Sequence, residues 1–114
     1  MPSREDLVLK KVKEILDRYR MFFVRCNPTN GIGYPDIIAC IDGRFVGIEV
    51  KDDKNGEYGV TEAQKARMRA IEKSGGYCLV IDKNNLGWFE CHMADVHYDR
   101  LERYNEVMER SMDI

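Results

Sequence analysis

Two short stretches, Tyr34-Pro35-Asp36 and Ile48-Glu49-Val50-Lys51, flank two apolar runs that meet at Asp42-Gly43. Asp-Gly between apolar runs is a strong hairpin signal, because a two-residue type I′ turn needs a positive φ at both positions. A turn at these residues pairs Ile41 with Arg44 and brings Asp36 opposite Glu49. The sequence therefore predicts a β-hairpin with two carboxylates side by side at its open end.

The paired carboxylates favour a cation site. Two neighbouring carboxylates repel each other unless a cation or a shared proton lies between them. Mg²⁺ prefers oxygen ligands and often binds through one or two carboxylates. Lys51 lies two residues beyond Glu49 and so on the same face of the strand, where it can orient or deprotonate an attacking water. The alternative is a solvated hairpin on which Asp36, Glu49 and Lys51 form ordinary surface ion pairs.

The spacing of these residues is similar to that of a known nuclease signature. Pro35-Asp36, twelve intervening residues and Glu49-Val50-Lys51 resemble the PD-(D/E)XK motif. The surroundings resemble its VRR-NUC (virus-type replication–repair nuclease) branch in Gly33-Tyr34-Pro35-Asp36-Ile37-Ile38, in Thr61-Glu62-Ala63-Gln64 and in Gly75-Gly76 before a last apolar strand. The resemblance covers about residues 5 to 82. It implies an α/β, restriction-endonuclease-like core, with a central mixed β-sheet flanked by helices, and a metal-dependent DNA endonuclease.

The resemblance also implies the metal and the catalytic residues. Asp36 and Glu49 would hold Mg²⁺ or Mn²⁺ with help from the Val50 carbonyl. Lys51 would position the attacking water and stabilise charge on the phosphate. These four residues form the predicted catalytic centre.

Two further site residues follow from the resemblance, each with an alternative. A glutamate near the start of the first helix supports the metal site in the family, and a helical wheel gives that role to Glu5 rather than Glu14. Glu5 would equally suit the helix N-terminus alone, where the helix dipole favours acids. Gln64 corresponds to an active-site glutamine of the family, whereas Thr61-x-x-Gln64 also fits a capping box.

DNA contacts are expected on the helix that begins at Thr61, the most basic of the chain. Its candidate phosphate ligands are Lys65, Arg67 and Arg69, although a solvated helix surface would look similar. Gly33, Tyr34 and Lys54, in the loops beside the carboxylates, are further DNA-binding candidates. Glycines in the 27–33 loop would let the backbone approach a phosphate closely, or merely form a turn.

Composition limits the remaining possibilities. A chain of 114 residues is expected to form a single stand-alone domain over residues 1–114. A net charge of −2 means that nucleic acid would bind a local basic patch. A zinc site from Cys91, His92 and His97 is disfavoured, because their spacing fits no common structural pattern. Without a signal peptide or long apolar run, we expect a cytoplasmic protein in a bacterial or phage-infected host cell, with no membrane partner.

The rest of the chain is predicted by pattern. Helices are expected over residues 3–20, from Thr61 to about 74, and over 98–110. Strands are expected over 21–26, in the hairpin, over 77–81 and, as an edge strand, over 86–89. Apolar residues on both faces of the hairpin predict a central pair of strands covered by helices on each side.

The expected substrate is branched DNA, such as a four-way (Holliday) junction, cut by a homodimer. The dimer is implied by stand-alone members of the family, and two symmetric nicks need two sites. The apolar stripe Leu101, Tyr104 and Met108 is the candidate contact, or it packs onto its own domain. Two other functions remain open: a nucleic-acid-binding module without catalysis, and an interaction domain whose carboxylates hold a structural ion.

Overall fold

The fold is α/β, as predicted, and the described residues form one four-stranded mixed sheet and three helices. The structure is a computed structural model and describes residues 3–26, 33–52 and 59–112. In chain order the elements are α1 (Arg4–Arg18), β1 (Phe22–Arg25), β2 (Ile37–Ile41), β3 (Arg44–Val50), α2 (Glu62–Lys73), β4 (Tyr77–Ile81) and α3 (Leu86–Met112). The strand order is β1-β2-β3-β4, with β1, β2 and β3 antiparallel and β4 parallel to β3.

The hairpin has the predicted turn and register. Asp42 and Gly43 have φ angles of 53° and 76°, as a type I′ turn requires. Ile41 pairs with Arg44, and the ladder continues to Ile37 opposite Ile48. Asp36 and Glu49 therefore lie one position beyond the last pair of the ladder, at the open end of the hairpin.

One face of the sheet packs against α1 and α3 and forms the hydrophobic core. The alternation of side chains along β2 and β3 directs every second residue to this face, and α1 and α3 present apolar residues at helical spacing. The fully buried side chains of this core include Val12, Leu16, Ile37, Ile41, Val46, Ile48, Val50, Ile81, Phe89 and Met93. α1 begins close to the predicted start at residue 3, and Ser3 and Asp6 form a capping box there.

The opposite face of the sheet is covered only in part: α2 lies over β3, as the prediction of helices on both faces requires, but the rest of the hairpin is not covered on this face by the described residues. Phe45 is 49% exposed, and Cys40 beside it is exposed. On the neighbouring strand, Phe22 pairs with Cys40 and is 73% exposed. The reason is that α2 packs against β3 and β4 and has no fully buried residue of its own.

The predicted edge strand at 86–89 is also wrong, because these residues form the first turn of α3. The Asp82–Asn85 turn precedes the helix, and the Asn85 side chain donates to the Val80 carbonyl at 2.8 Å. Leu86, Phe89, Met93 and Val96 then recur at helical spacing and pack in or against the core. The predicted helix over 98–110 is therefore the second half of one helix of 27 residues. None of the helices in the described ranges is long and apolar enough to cross a membrane.

Candidate active site

The two carboxylates meet where β3 ends and β2 begins. Asp36 directly precedes β2, and its carbonyl accepts a hydrogen bond from the Cys26 N–H at 2.8 Å. Its Oδ2 atom accepts from the Val50 N–H at 2.7 Å. The Asp36 side chain is thus held across the open end of the hairpin, beside Glu49.

Glu49 is almost completely buried, with 4% of its surface exposed. Burial raises the pKa of Glu49 from its ordinary value of 4.5 to about 8, and the hydrogen bond with Asp36 and the negative charge of Asp36 add to this. The ammonium group of Lys51 acts in the opposite direction, with its Nζ atom 3.9 Å from Glu49 Oε1. Without a cation, the carboxylate pair therefore retains a proton at neutral pH.

Lys51 is held at this site by its backbone and by its side chain. Its N–H donates to the Ile81 carbonyl at 2.9 Å, and its Nζ donates to Gln64 Oε1 at 3.1 Å. The same Gln64 oxygen accepts from the Thr61 N–H at 2.9 Å, while the Gln64 N–H donates to Thr61 Oγ1 at 3.1 Å. The capping box is therefore confirmed, and its glutamine also contacts the lysine.

Glu5, on the first turn of α1, belongs to the same electrostatic cluster. Burial raises the pKa of Glu5, with smaller contributions from the negative charges of Asp36 and Asp52, and Lys51 acts in the opposite direction. α1 thus begins beside the end of the sheet that carries the carboxylates. Whether Glu5 contacts a metal remains a prediction.

The donor atoms at this end of the sheet fit a hard divalent cation. Within residues 3–26, 33–52 and 59–112, no three Asp, Glu, His or Cys side chains form a group that could hold a metal ion. Asp36 and Glu49 supply two carboxylates, which is as many as Mg²⁺ commonly takes from a protein. A buried carboxylate beside a second one is also stabilised in its charged form by a cation. The alternative zinc ligands do not meet, because His92 stacks on Trp88 whereas His97 lies against Tyr19.

Gly33 lies against the beginning of α2, and Tyr34 lies against Arg67 of the same helix. Gly33 has a φ of 83°, and a Cβ at this position would lie 2.5 Å from the Ala63 carbonyl oxygen. Only glycine fits such a position without strain. The Tyr34 ring lies 4.2 Å from the Arg67 guanidinium carbon, a distance typical of a cation–π contact.

Of the other predicted DNA ligands, those in the described ranges form no hydrogen bond or ion pair with the carboxylate site. Lys65 forms an ion pair with Glu62 at 3.3 Å, and Arg69 is exposed on α2. Lys54 and most of the 27–33 loop lie outside the described residues. The structure therefore brings Gly33, Tyr34 and Arg67 together and leaves the grouping of the others as a prediction.

Cys26 is a neighbour of the site that the sequence reasoning missed. Burial raises the pKa of the Cys26 thiol, and the charges of Asp36 and Glu49 raise it further. The register of β1 against β2 explains its position, because Arg25 pairs with Ile37 and one more step brings Cys26 opposite Asp36. This pairing joins distant parts of the chain, so no local sequence pattern indicated it.

The chain matches no protein-family model, no curated protein and no solved structure. Function must therefore be inferred from the geometry of the site and from the motifs that resemble those of VRR-NUC nucleases.

Proposed function

We propose that this protein is a Mg²⁺- or Mn²⁺-dependent endonuclease that hydrolyses phosphodiester bonds in DNA. The observation that carries the proposal is the arrangement at the end of β3. Buried Glu49 lies beside Asp36, and the Nζ atom of Lys51, directly after the strand, lies 3.9 Å from Glu49 Oε1. Folding alone does not require two adjacent carboxylates and a lysine at the edge of a sheet, because such a pair is destabilising without a cation.

Asp36 and Glu49 would hold the metal ion, together with the Val50 carbonyl. When bound, Mg²⁺ supplies Lewis acidity toward a phosphoryl oxygen. Lys51 orients the attacking water and offsets the negative charge that develops on the phosphate. Gln64 keeps the Lys51 ammonium in place through their 3.1 Å hydrogen bond. Both the lysine and its partner are thus positioned before substrate binds.

DNA would approach over α2, which carries the candidate phosphate ligands. The first turn of this helix carries Gln64 of the site, and Lys65, Arg67 and Arg69 follow on the same helix. Their contacts with backbone phosphates would fix the register of the strand without reading its sequence. Tyr34, partly exposed beside Arg67, offers a flat surface against which a base can stack.

The functional unit we propose is a homodimer that cuts branched DNA such as a four-way junction. This part of the proposal rests on the resemblance and on the exposed second half of α3. Leu101, Tyr104 and Met108 are all exposed there, Tyr104 by 62%. Of the two possibilities open from the sequence, this favours a contact with another chain over packing onto the same domain.

The dimer is tested by replacing the two aliphatic side chains of the stripe. Leu101→Ser combined with Met108→Ser should give a monomer in light scattering at micromolar concentration and should abolish paired cuts in a junction. Since both residues are exposed, the fold should be retained, as circular dichroism can check. A wild-type monomer that still makes paired cuts would contradict the dimer.

The activity itself is tested by incubating the protein with Mg²⁺ or Mn²⁺ and a panel of labelled duplex, flap, single-stranded and four-way-junction DNA. Asp36→Asn and Glu49→Gln should abolish cleavage and weaken Mn²⁺ binding measured by calorimetry. Glu14→Gln, which removes an exposed carboxylate from α1, is the matched control and should cut normally. DNA binding without cleavage by the wild type would instead favour a non-catalytic binding module. Stabilisation by metal without DNA binding would favour a structural ion.

A further inference from the structure

A second candidate site lies at the end of the molecule opposite the carboxylates. A groove of about 560 Å³ lies there, lined by Arg20 after the end of α1 and by Arg100 and Arg103 of α3. Arg103 donates to Asp42, in the turn of the hairpin, at 2.6 Å. The hairpin strands rise about 3.3 Å per residue, so this turn lies about 20 Å from Asp36. The groove is therefore separate from the proposed catalytic centre.

Arg20 occupies a position that would suit glycine better. Its φ is 58°, and it directly follows the helix cap, where the Met21 N–H donates to the Leu16 carbonyl at 2.8 Å. Helices commonly end with glycine in this left-handed conformation, because a Cβ is strained there. The hydrogen bonds of the turn hold Arg20 in this conformation although it is not glycine, and its side chain lines the groove.

Arg100 is fixed in place by groups that are themselves uncharged. One of its terminal nitrogens donates to the Tyr19 carbonyl at 3.1 Å and approaches the Met21 sulfur at 3.3 Å. Its Nε is buried without a hydrogen-bond partner among the described residues. Within the same part of the chain, neither Arg20 nor Arg100 forms an ion pair with a carboxylate.

The positive charge of the groove comes from its three guanidinium groups. Arg103 is paired with Asp42, and Asp99 also lies close enough to raise the pKa of Arg103. Of the three groups, only that of Arg103 forms an ion pair with a carboxylate of the described residues. His97, Leu101, Tyr104 and Val107 complete the lining. Leu101 and Tyr104 also belong to the stripe proposed as the dimer contact, so the groove borders that contact. The guanidinium groups of the groove suit phosphate oxygens.

We propose that this groove binds backbone phosphates of the DNA on which the catalytic end acts, an inference that rests on the proposed function. Duplex DNA rises about 3.4 Å per nucleotide of one strand, so 20 Å corresponds to roughly six nucleotides. The groove therefore contacts the DNA about six nucleotides from the phosphate that is cut. A DNA substrate too short to reach the groove lacks this contact.

Arg20→Gly is the decisive variant, because it removes the side chain and relieves the backbone strain together. It should raise the melting temperature, so weaker DNA binding cannot be attributed to misfolding. At about 0.15 M salt the loss of one phosphate contact should weaken binding of a 25-base-pair duplex roughly fivefold to tenfold and lower the slope of log K against log salt by about one. Arg110→Gln, an equal loss of charge at an exposed position near the end of α3, is the control and should bind like the wild type.

Kinetics and a phosphate titration complete the test. Arg20→Gly and Arg100→Gln should raise the KM of cleavage and leave kcat within about twofold of the wild type. If Arg20→Gly and Arg110→Gln bind DNA with equal affinity, the proposal that the groove binds DNA is overturned. The proposed nuclease activity is not affected by that result. In the phosphate titration, thermal unfolding is followed as inorganic phosphate is added. If Arg20→Gly is no longer stabilised by phosphate but binds DNA as the wild type does, the groove is a site for free anions and the proposal is overturned. A wild-type protein that binds no DNA would overturn both this inference and the proposed function.

Discussion

Replacing Glu49 by glutamine should stabilise the metal-free protein at neutral pH. The pKa of Glu49 is raised from 4.5 to about 8, chiefly by burial and then by Asp36. A carboxyl group whose pKa is higher in the folded state contributes stability below its unfolded pKa, and that stability is lost as the pH rises through the folded pKa. The free energy of unfolding of the wild type should therefore fall between about pH 4.5 and pH 8.

The size of the effect follows from the linkage between protonation and folding. Each pH unit between the two pKa values costs about 1.4 kcal/mol. From pH 4.5 to pH 7 the contribution of Glu49 is therefore about 3 kcal/mol. Glutamine is uncharged, has nearly the same shape and can donate to Asp36, so the variant should be about as stable as the wild type at pH 5 and about 3 kcal/mol more stable at pH 7.

Urea unfolding of the metal-free proteins at several pH values, followed by circular dichroism, measures this difference. Glu14→Gln serves as the control and should differ from the wild type by a constant amount at every pH. At pH 8, Mn²⁺ should then stabilise the wild type in proportion to its binding and have little effect on Glu49→Gln. A stability difference between Glu49→Gln and the wild type that does not change with pH would refute the reasoning.

Three further substitutions test the parts of the site separately. Lys51→Ala should lower the cleavage rate at least about 100-fold while Mn²⁺ binding by calorimetry stays normal, and a near-normal rate would contradict its role. Gln64→Ala should lose about 1 kcal/mol of stability with its cap and should also slow cleavage, whereas Asp6→Ala, which removes the equivalent group from the α1 capping box, should lose only stability. Gly33→Ala should cost about 1–3 kcal/mol in thermal unfolding, because its Cβ would meet the Ala63 carbonyl, and a neutral effect would show that the loop can shift.

Local sequence patterns predicted the hairpin and the capped helix starts correctly. The Asp42-Gly43 turn fixes the register of β2 and β3, and the register in turn brings Asp36 beside Glu49. Thr61 likewise caps α2, as its capping-box pattern predicted, and Ser3 caps α1, which begins close to its predicted start. In each case the decisive interactions lie within a few residues along the chain, so local chemistry determines the outcome.

Features that depend on distant contacts were predicted less well. Leu86-Gly87-Trp88-Phe89 has the composition of a strand. In the folded protein, however, Phe89 is buried in the core with Met93, four residues further on. This helical spacing determines the structure because both side chains pack against α1 and the sheet, which a local pattern does not show. The extent to which α2 covers the sheet could not be predicted either. It depends on where the helix packs, and not on the alternation of apolar residues along β2 and β3.

The two interpretations of Gln64 that the sequence left open are not exclusive in the folded protein. One oxygen of this side chain accepts from the Thr61 N–H and from Lys51 Nζ, so the bond that begins α2 also fixes the distance between α2 and the end of β3. A cap without this second contact would leave the lysine free to rotate toward solvent, and a glutamine without the cap would itself be free to move. Joining the two restricts both side chains at once, so the local stability of α2 determines how well Lys51 is positioned beside the carboxylates.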